Sequence, residues 1–520
     1  MKKYLSILPV FLFLLTLGSC KKDYLDTTPS DQIDADKIFD NITNVKVALN
    51  GVYRAMYMQY SDQEQDGHPA IMITMDYMGE DIVHTATGTS YFRGAYRWVD
   101  HRSELNDLPY FAYRLYYRII ANANIILEGI DRVPDATEAQ KNVIKGECLA
   151  IRGWAHFMSV QLFGKRYDAE ALLNDPTGEN SPLVTLGVPV VTKYSLDPQP
   201  RNTVAEVYDQ VNKDLDDAIV LLNGAAPARG IYRTHIDQSV AKGIKARVAL
   251  TQQNWVDAAK FALEAVQGYQ LMSNASYLDG FSDMKNSEWM WGAHQLPDQL
   301  PAYGSFYAYM SSNFNSSHTR SNPKKINIDL YNSLSNTDIR KKLFCDNVDD
   351  FVNFPGVIDA STGQPVPSQV RAKYMHKKFV VADPAVSAGD IPYMRAAEMY
   401  LIAAEAKARQ GLNAEALDIL EPLAKNRDPN FVRPANSEGL LTNQYSLIMR
   451  QRRAELWGEG FRFLDLKRQN VALDRASSTS GHTGTLANWI GRAAGGAFWQ
   501  FLIPRRELQA NPYMIQNPPN

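Results

Sequence analysis

The chain has 520 residues, of which 45% are hydrophobic and 21% are charged, so it can bury a large core. Its net charge is −3, which becomes about −5 when Lys2 and Lys3 are lost with the N-terminal leader. This balance excludes the strongly basic surface with which proteins bind nucleic acid.

The first residues have the organisation of an export signal. A basic pair is followed by an apolar run from Leu5 to Leu17, and two small residues lead into Cys20. The run is too short to span a bilayer as a permanent helix. A leucine and two small residues before a cysteine resemble the lipobox of bacterial lipoproteins. We therefore predict a signal peptide over residues 1–19 and lipid attachment at Cys20; an ordinary signal peptide that contains a cysteine is the alternative.

Three amphipathic segments predict long helices. Apolar residues keep three- and four-residue spacing from Phe111 to Ile130, and a second helix is predicted from Thr137 to Phe163. The segment from Thr203 to Leu222 opens with a capping box, in which Thr203 and Glu206 each bond a free backbone amide. Cys148 falls in the second helix, so we expect it to be a small buried hydrophobe rather than half of a disulfide with Cys345.

Two later segments look like copies of one helix-turn-helix unit. Small or apolar residues follow Ala246 and Ala404 at the same offsets of 12, 16 and 19 positions. Small residues there let two antiparallel helices approach closely, as in tetratricopeptide repeats. A chance match between Ala-rich helices is the alternative, because stacked repeats usually need about three copies. The pattern favours a mainly α fold with tetratricopeptide-like helix pairs.

A different composition separates these two units. Residues 272–392 are rich in Asn, Ser, Asp, Gly and Pro and show little periodicity, so we expect long loops with a few short strands. Such long loops are uncommon in compact domains unless they are functional. We therefore predict an N-terminal helical part over 20–271, a loop-rich ligand-binding insertion over 272–392 and a C-terminal helical part over 393–520.

The sequence lacks the strong signatures of catalysis. It contains no HExxH, GxSxG, P-loop or CxxC pattern. Asp62, Glu64 and Asp66 resemble the start of a calcium loop, but the twelfth position is Ile73, where a bidentate Glu is required. This favours a solvated acidic loop over a calcium site. We predict no catalytic residue, no metal and no cofactor.

The most charge-dense segment runs from Arg452 to Arg468. Its carboxylates could serve a glycosidase, which needs two carboxyl groups flanking the scissile bond. Glu455 and Glu459, however, lie one turn apart on a predicted helix and can pair with Arg452 and Arg462 as near neighbours. A structural ion network is the favoured interpretation.

Four motifs together resemble the SusD/RagB family of outer-membrane nutrient-binding lipoproteins. The C-terminal signature of that family is similar to RRAELWGEGFRFLDLKR, and its closing motif to IPRRELQANPYMIQNP. Its central helix is similar to YMRAAEMYLIAAEAKAR, and its mature N-terminus to CKKDYLDTTPSDQ. The four occur in the order of the family and span nearly the whole chain.

The resemblance implies a SusD-like fold, with tetratricopeptide-like helix pairs packed against an irregular ligand-binding part. It also implies a lipid-anchored outer-membrane protein that faces the cell exterior, binds oligosaccharide, and delivers it to a SusC-like TonB-dependent transporter. Some branches of the family bind peptide instead, and family members are not enzymes. A protein-binding repeat scaffold and a surface-anchored glycan hydrolase are the alternatives; the latter would be favoured if Asp279, Asp283 or Glu288 formed a carboxylate pair in a cleft.

Ligand residues must be inferred from chemistry, because the family motifs are scaffold motifs. Sugars present C–H faces beside hydroxyls, so a binding surface needs exposed aromatic rings with polar side chains around them. Two loop-like stretches have that mixture, from Thr89 to Asp107 and from Ser287 to Asn315. Burial against the helices is the alternative for each ring. The predicted ligand contacts are Tyr91, Arg93, Trp98, Trp289, Trp291, Tyr303 and Tyr307.

Overall fold

The structure is a computed structural model that describes residues 37–85, 90–168, 185–226, 233–300, 303–347, 358–359, 364–365, 372–436, 438–487 and 491–518. The predicted signal peptide, Cys20 and the mature N-terminal motif lie outside these ranges. Within them, no helix combines the length and apolarity that crossing a membrane requires.

Helices make up most of the regular structure, which confirms the mainly α prediction. The helices are α1 (Ile42–Ala55), α2 (Gly67–Tyr77), α3 (Arg93–Tyr96), α4 (Asp107–Gly129), α5 (Glu138–Phe163), α6 (Val204–Leu221), α7 (Gln238–Thr251), α8 (Trp255–Ala265), α9 (Asn274–Tyr277), α10 (Phe306–Met310), α11 (Ser317–Ser321), α12 (Ile328–Asn332), α13 (Ala396–Arg409), α14 (Asn413–Arg427), α15 (Leu447–Glu455), α16 (Arg462–Gln469), α17 (Gly484–Ala487) and α18 (Arg505–Ala510). The strands are β1 (Ile82–Val83), β2 (Trp289–Ala293), β3 (Lys325–Ile326), β4 (Ile358–Asp359), β5 (Gln364–Pro365), β6 (Ile391–Arg395), β7 (Leu473–Asp474) and β8 (Gly491–Arg492).

Two of the three long helices begin at the predicted residues, whereas α4 begins at Asp107, before the predicted Phe111. The Thr203 side chain accepts a hydrogen bond from the Glu206 N–H, and the Glu206 carboxylate accepts one from the Thr203 N–H at 2.7 Å. Thr137 and Gln140 form the same box at the start of α5. Such boxes satisfy amides that have no partner within the helix. Cys148 is buried in α5 as a free thiol, as predicted.

The two predicted helix pairs are present and pack on each other. α7 and α8 form the first pair and α13 and α14 the second, and α8 contacts α13 directly. The small and apolar residues that align at equal offsets are all fully buried: Ala246, Ala258, Ala262, Ala265, Ala404, Ala416, Leu420 and Leu423. These positions are where the helices of each pair meet, so close approach explains the repeated pattern. α4, α5 and α6 precede α7 in the same row, with each helix packed on the next.

The insertion between the pairs contains short helices and strands. β2 runs antiparallel to β6, with Trp289 opposite Arg395 and Ala293 opposite Ile391, so the insertion leaves and re-enters the helical frame at one place. β1 pairs with β3, which joins the N-terminal part to the insertion. All five residues of both β2 and β6 are buried.

The charged segment from Arg452 to Arg468 belongs to a buried network. We call the following residues the ion network: Glu288, Arg340, Lys378, Arg395, Arg427, Glu455 and Glu459. Arg395 donates to Glu455 at 3.0 Å and to Glu459 at 2.6 Å, and Arg427 donates to Glu288 at 2.6 Å. Burial alone would raise the pKa of Glu455, but Arg427, Arg395 and Arg340 hold it well below the usual range. These contacts confirm the structural interpretation of the segment.

The predicted partners within that segment are wrong. Glu455 is the last residue of α15 and Glu459 lies in the turn before α16, so the two do not share one helix and the near-neighbour rule fails. Arg452 instead donates to Asp465 at 2.7 Å, and Arg462 donates to Glu80 at 3.0 Å. The network therefore joins distant parts of the chain, including the insertion through Glu288, Arg340 and Lys378.

Candidate functional site

The two predicted aromatic stretches meet at one surface, which we call the loop junction. The Tyr91 ring lies edge-on to the Tyr309 ring, with centroids 5.2 Å apart, and to the His318 ring at 5.3 Å. The Tyr91 hydroxyl donates a hydrogen bond to Oε1 of Gln63. The loop junction comprises these four residues and Tyr303, whose side chain is 57% exposed. The early loop and the insertion are therefore in contact.

Tyr303 adjoins the loop that carries Gln63. A Cβ atom on the next residue, Gly304, would lie 3.1 Å from the side chain of Gln59. Gln59 and Gln63 belong to one loop between α1 and α2, and the half-buried Tyr91 bonds to that loop. The Tyr91 ring therefore contacts this loop directly, and Tyr303 is exposed next to the glycine that packs on Gln59. That combination can contact both the C–H faces and the hydroxyls of a sugar.

Two carboxylates of the same loop bind the segments on either side of the junction. Glu64 accepts a hydrogen bond from the backbone N–H of Phe92, and Asp66 accepts one from Phe306 at 3.0 Å. Burial raises the pKa of Glu64 to about 7 and that of Asp66 to about 8. The prediction of a solvated acidic loop holds for the exposed Asp62. It is wrong for the other two carboxylates, because their bonds to backbone amides withdraw them from solvent.

A buried lysine contacts His318. The Nζ atom of Lys324 lies 3.2 Å from Nε2 of His318, and burial lowers the pKa of Lys324 to about 7. In its charged form Lys324 can only donate, and the ring proton of His318 then lies on Nδ1. Burial, together with the charge of Lys324, lowers the pKa of His318. His318 therefore contributes a neutral imidazole to the loop junction.

The early loop is held in a strained conformation. Phe92 and Trp98 have φ values of 58° and 57°, in the left-handed region that bulky residues rarely adopt. Such residues persist only where the surrounding structure holds them, and they cluster at ligand sites and switches. Here the rings are held by packing, Phe92 against Tyr309 at 5.1 Å and Trp98 against Trp499 at 4.8 Å. Tyr91 immediately precedes this strained turn.

Four of the seven predicted ligand residues are buried. Burial was the alternative to ligand contact for each ring. These are Trp98, Trp289, Trp291 and Tyr307. The Trp98 Nε1–H donates to the Met78 carbonyl at 2.8 Å, and the Trp291 Nε1–H donates to the Thr234 carbonyl at 3.2 Å. The expectation that these four rings are exposed is wrong, because β2 lies inside the core and Trp98 packs on the C-terminal segment. A ligand cannot reach them in this conformation.

The remaining three predicted residues stay predicted contacts. Tyr91 and Arg93 are half-buried, and Tyr303 is exposed. The residues that sequence reasoning missed are Gln63 and His318, because a single Gln in a short loop and a single His carry no periodic or motif signal. The continuous apolar run WMWGA of β2 did carry a signal, since strands buried on both faces lack alternation.

Two family models cover most of the chain. The model described as "Starch-binding associating with outer membrane" matches residues 23–250, and the model described as "SusD family" matches residues 275–519. A SusD-like protein, P38, from Formosa agariphila is 21% identical over 570 aligned positions, with all of both chains covered.

Solved structures have the same fold. A SusD-like carbohydrate binding protein from Bacteroides vulgatus superposes with a TM-score of 0.77 at 23% identity, covering 93% of this chain and 99% of that one. Surface glycan-binding protein A from Bacteroides thetaiotaomicron, solved in complex with laminarihexaose, gives 0.66 at 16% identity, covering 91% and 99%. The mainly α architecture is thus the SusD-like fold. With both family models matched in chain order, this chain belongs to the SusD/RagB family.

Proposed function

We propose that this chain binds oligosaccharide at the cell surface and delivers it to a SusC-like TonB-dependent transporter of the outer membrane. The observation that carries the proposal is the loop junction. The half-buried Tyr91 ring lies beside the amide of Gln63 and the imidazole of His318, and the exposed Tyr303 adjoins the loop that carries Gln63. Rings stack on the apolar faces of sugars, and the polar groups select the hydroxyl pattern.

The relatives support glycan as the ligand class. One structural relative is solved with laminarihexaose, and another is described as a carbohydrate binding protein. Their low identity leaves open which glycan this chain takes. A peptide ligand is the alternative within the family, because exposed tyrosines and amides also suit a peptide backbone.

A non-catalytic role is part of the proposal. The glycosidase alternative required a carboxylate pair in a cleft, with Glu288 as one candidate. Glu288 is fully buried and bonded to Arg395 and Arg427, so it is not available to a glycosidic oxygen. Asp279 and Asp283 are exposed, and Asp283 accepts a hydrogen bond from the Lys285 N–H at 2.8 Å.

Binding at the loop junction is tested by titration calorimetry of the purified protein. The panel contains laminarihexaose, two other glucan hexaoses and a hexapeptide. We expect one of the glycans to bind, and Tyr303→Ala and Tyr91→Ala each to weaken that binding by about 1–3 kcal/mol. Such a loss raises the dissociation constant about 5- to 150-fold. Tyr513→Ala is the matched control, because Tyr513 is 59% exposed at the other end of the sequence.

The outcomes separate the site from the function. Wild-type affinity in both tyrosine variants would place the ligand elsewhere on the protein. Binding of the peptide and of no glycan would replace oligosaccharide by peptide as the ligand class. Co-purification with a transporter in mild detergent tests delivery, and its failure for the wild-type protein would contradict the transporter partnership.

The membrane anchor is tested by Cys20→Ala. Lipid on that cysteine is the proposed tether, so the variant should leave the membrane fraction in cells that lack the transporter. Its unfolding temperature should match that of the wild type, because Cys20 precedes every described element. A variant that stays in the membrane fraction would contradict lipid attachment at Cys20.

A further inference from the structure

A cavity with several polar groups in its wall lies apart from the loop junction. It has a volume of about 280 Å³ and lies between the C-terminal end of α5, the start of α6, α16 and the segment before α18. Lys165, Arg166, Thr185, Lys467 and Gln500 contribute polar groups to its wall. The volume is just below the roughly 300–1,000 Å³ of pockets that take drug-sized ligands, so it suits one sugar ring.

Lys467 is a buried cation without an acidic partner among the described residues. Its Nζ atom donates to the carbonyls of Gln161 at 2.6 Å and of Gly164 at 2.8 Å, at the end of α5. Lys467 lines the cavity, and its charged form has a third N–H bond that can donate to an anion there. Burial lowers the pKa of Lys467 to about 7. A buried cation that lacks a counter-ion is costly, and an anion in the cavity would compensate it.

The other charged residues of the wall also leave an excess of basic side chains. Arg166 pairs with Asp168, which also lines the cavity. Lys165 is half-buried and forms no ion pair within the described part of the chain, and burial lowers its pKa. The wall therefore carries the charges of two lysines beyond its one ion pair.

Two buried polar atoms in the wall have no hydrogen-bond partner among the residues that the structure describes. They are the hydroxyl of Thr185, which is 2% exposed, and Oε1 of Gln500, which is fully buried. Buried polar groups are normally bonded, so each unpaired atom requires an explanation. A hydroxyl can donate to an anionic oxygen, and an amide oxygen can only accept. A ligand that satisfies all of these groups carries both an anionic oxygen and a hydroxyl.

We propose that this cavity binds a hydroxylated anion of monosaccharide size, such as a sugar acid or a sugar phosphate. The anionic oxygens lie between Lys165, Lys467 and the Thr185 hydroxyl, and a ligand hydroxyl donates to Gln500. Carboxylate and phosphate share the required chemistry. The site is independent of the proposed glycan site, because no residue is common to the two.

Calorimetric titration distinguishes the possible ligands. The probes are glucuronate, glucose 6-phosphate, glucose and inorganic phosphate at low ionic strength. We expect one of the two sugar anions to bind at least tenfold more tightly than glucose and than inorganic phosphate. If neither glucuronate nor glucose 6-phosphate binds at millimolar concentration, the proposal is overturned. Equal binding of inorganic phosphate would overturn it as well, since that result indicates an adventitious ion only.

Variants place the binding in the cavity. Lys165→Gln and Thr185→Val should each weaken binding of the sugar anion at least fivefold, whereas Lys285→Gln, an exposed lysine of the insertion, should leave it unchanged. Tyr91→Ala and Tyr303→Ala should also leave it unchanged, so this test fails or succeeds independently of the proposed function. Wild-type affinity in both cavity variants would assign the anion to another site.

Proton uptake provides a readout that specifically reports Lys467. An anion near the ammonium group favours its charged form, so binding at pH 7 to 8 should take up a proton. Titrations in buffers of different ionisation enthalpy measure that uptake directly. Binding without proton uptake in this range would show that the anion does not contact Lys467.

Discussion

The ion network and the loop junction both contain charged and aromatic side chains, but they differ in how those side chains are partnered. In the network, Arg395 contacts three carboxylates, and Glu455 accepts from Arg395 and Arg427 at 3.0 Å. At the junction, Lys324 has an imidazole as its hydrogen-bond partner, and Oδ1 of Asp66 has none.

The difference shows which charged cluster is structural. A buried charge is tolerated when opposite charges and hydrogen bonds satisfy it. Every charged group of the network lies within 3.5 Å of an opposite charge, although Nη1 of Arg340 makes no hydrogen bond to the described residues. A buried polar group that lacks a partner at the junction destabilises the folded state, and a ligand or a change of protonation can relieve that destabilisation. Charge density along the sequence pointed to the network, whereas incomplete partnering in three dimensions points to the junction.

The largest expected change in the free energy of unfolding is at Trp98, the ring of the early loop that packs in the core. Trp98→Ala should lower the free energy of unfolding by about 3–5 kcal/mol for the ring, with about 1 kcal/mol more for the lost bond to Met78. Denaturant unfolding of this variant and of Tyr303→Ala measures the contrast. We expect Tyr303→Ala to change stability little, since its ring is exposed. Equal stability losses would contradict the division into core and junction rings.

The second test removes one charge from the ion network. Glu455→Gln leaves Arg395 and Arg427 without part of their compensating charge, so the free energy of unfolding should fall by about 3–5 kcal/mol. Ligand affinity should be unchanged in any fraction that folds. Glu421→Gln is the control, because Glu421 also pairs with an arginine and a lysine but at the surface, where no measurable change is expected. Lost binding with intact stability would assign Glu455 to the ligand site.

The third test removes Lys324, a buried lysine whose partner among the described residues is the His318 imidazole. Lys324→Met should raise the free energy of unfolding by about 1–4 kcal/mol at pH 6, where the buried ammonium is protonated. The folded pKa is about 7, below that of an unfolded lysine, so wild-type stability rises with pH above 7 as the folded amine is neutralised. The gain in the variant should therefore shrink from pH 7 to pH 10. Denaturant unfolding across this range checks it, and a destabilised variant at pH 6 would contradict the unpaired state of Lys324.

The smallest expected effect concerns Asp66. Its folded pKa is about 8, far above the unfolded value, so its contribution to stability is full at low pH and is lost as pH rises towards 8. Asp66→Asn retains an oxygen acceptor for the Phe306 N–H and removes the ionisation. We expect the variant to gain about 1–3 kcal/mol on the wild type between pH 6 and pH 8. A difference that does not change with pH would indicate that Asp66 ionises freely.

The positions of the helices could be predicted, because their determinants are local. Thr203 and Glu206 are three residues apart and define a helix start without any tertiary contact. The equal offsets after Ala246 and Ala404 likewise reflect helix geometry, and both copies are present with those residues buried. The structural role of the charged segment also followed, from its balance of acidic, basic and apolar residues.

What the sequence alone determined about this protein is therefore its helical frame, its family motifs and the scaffold role of its charged signature. The tertiary structure alone decided the accessibility of Tyr91 and Trp98, which lie seven positions apart in one loop-like stretch: the first ring is half-buried, and the second is buried against Trp499. It also decided the partners of Glu455 and Glu459, since the paired arginine Arg395 is 60 and 64 positions away. Burial and long-range pairing depend on where distant segments meet, and local periodicity carries no record of that.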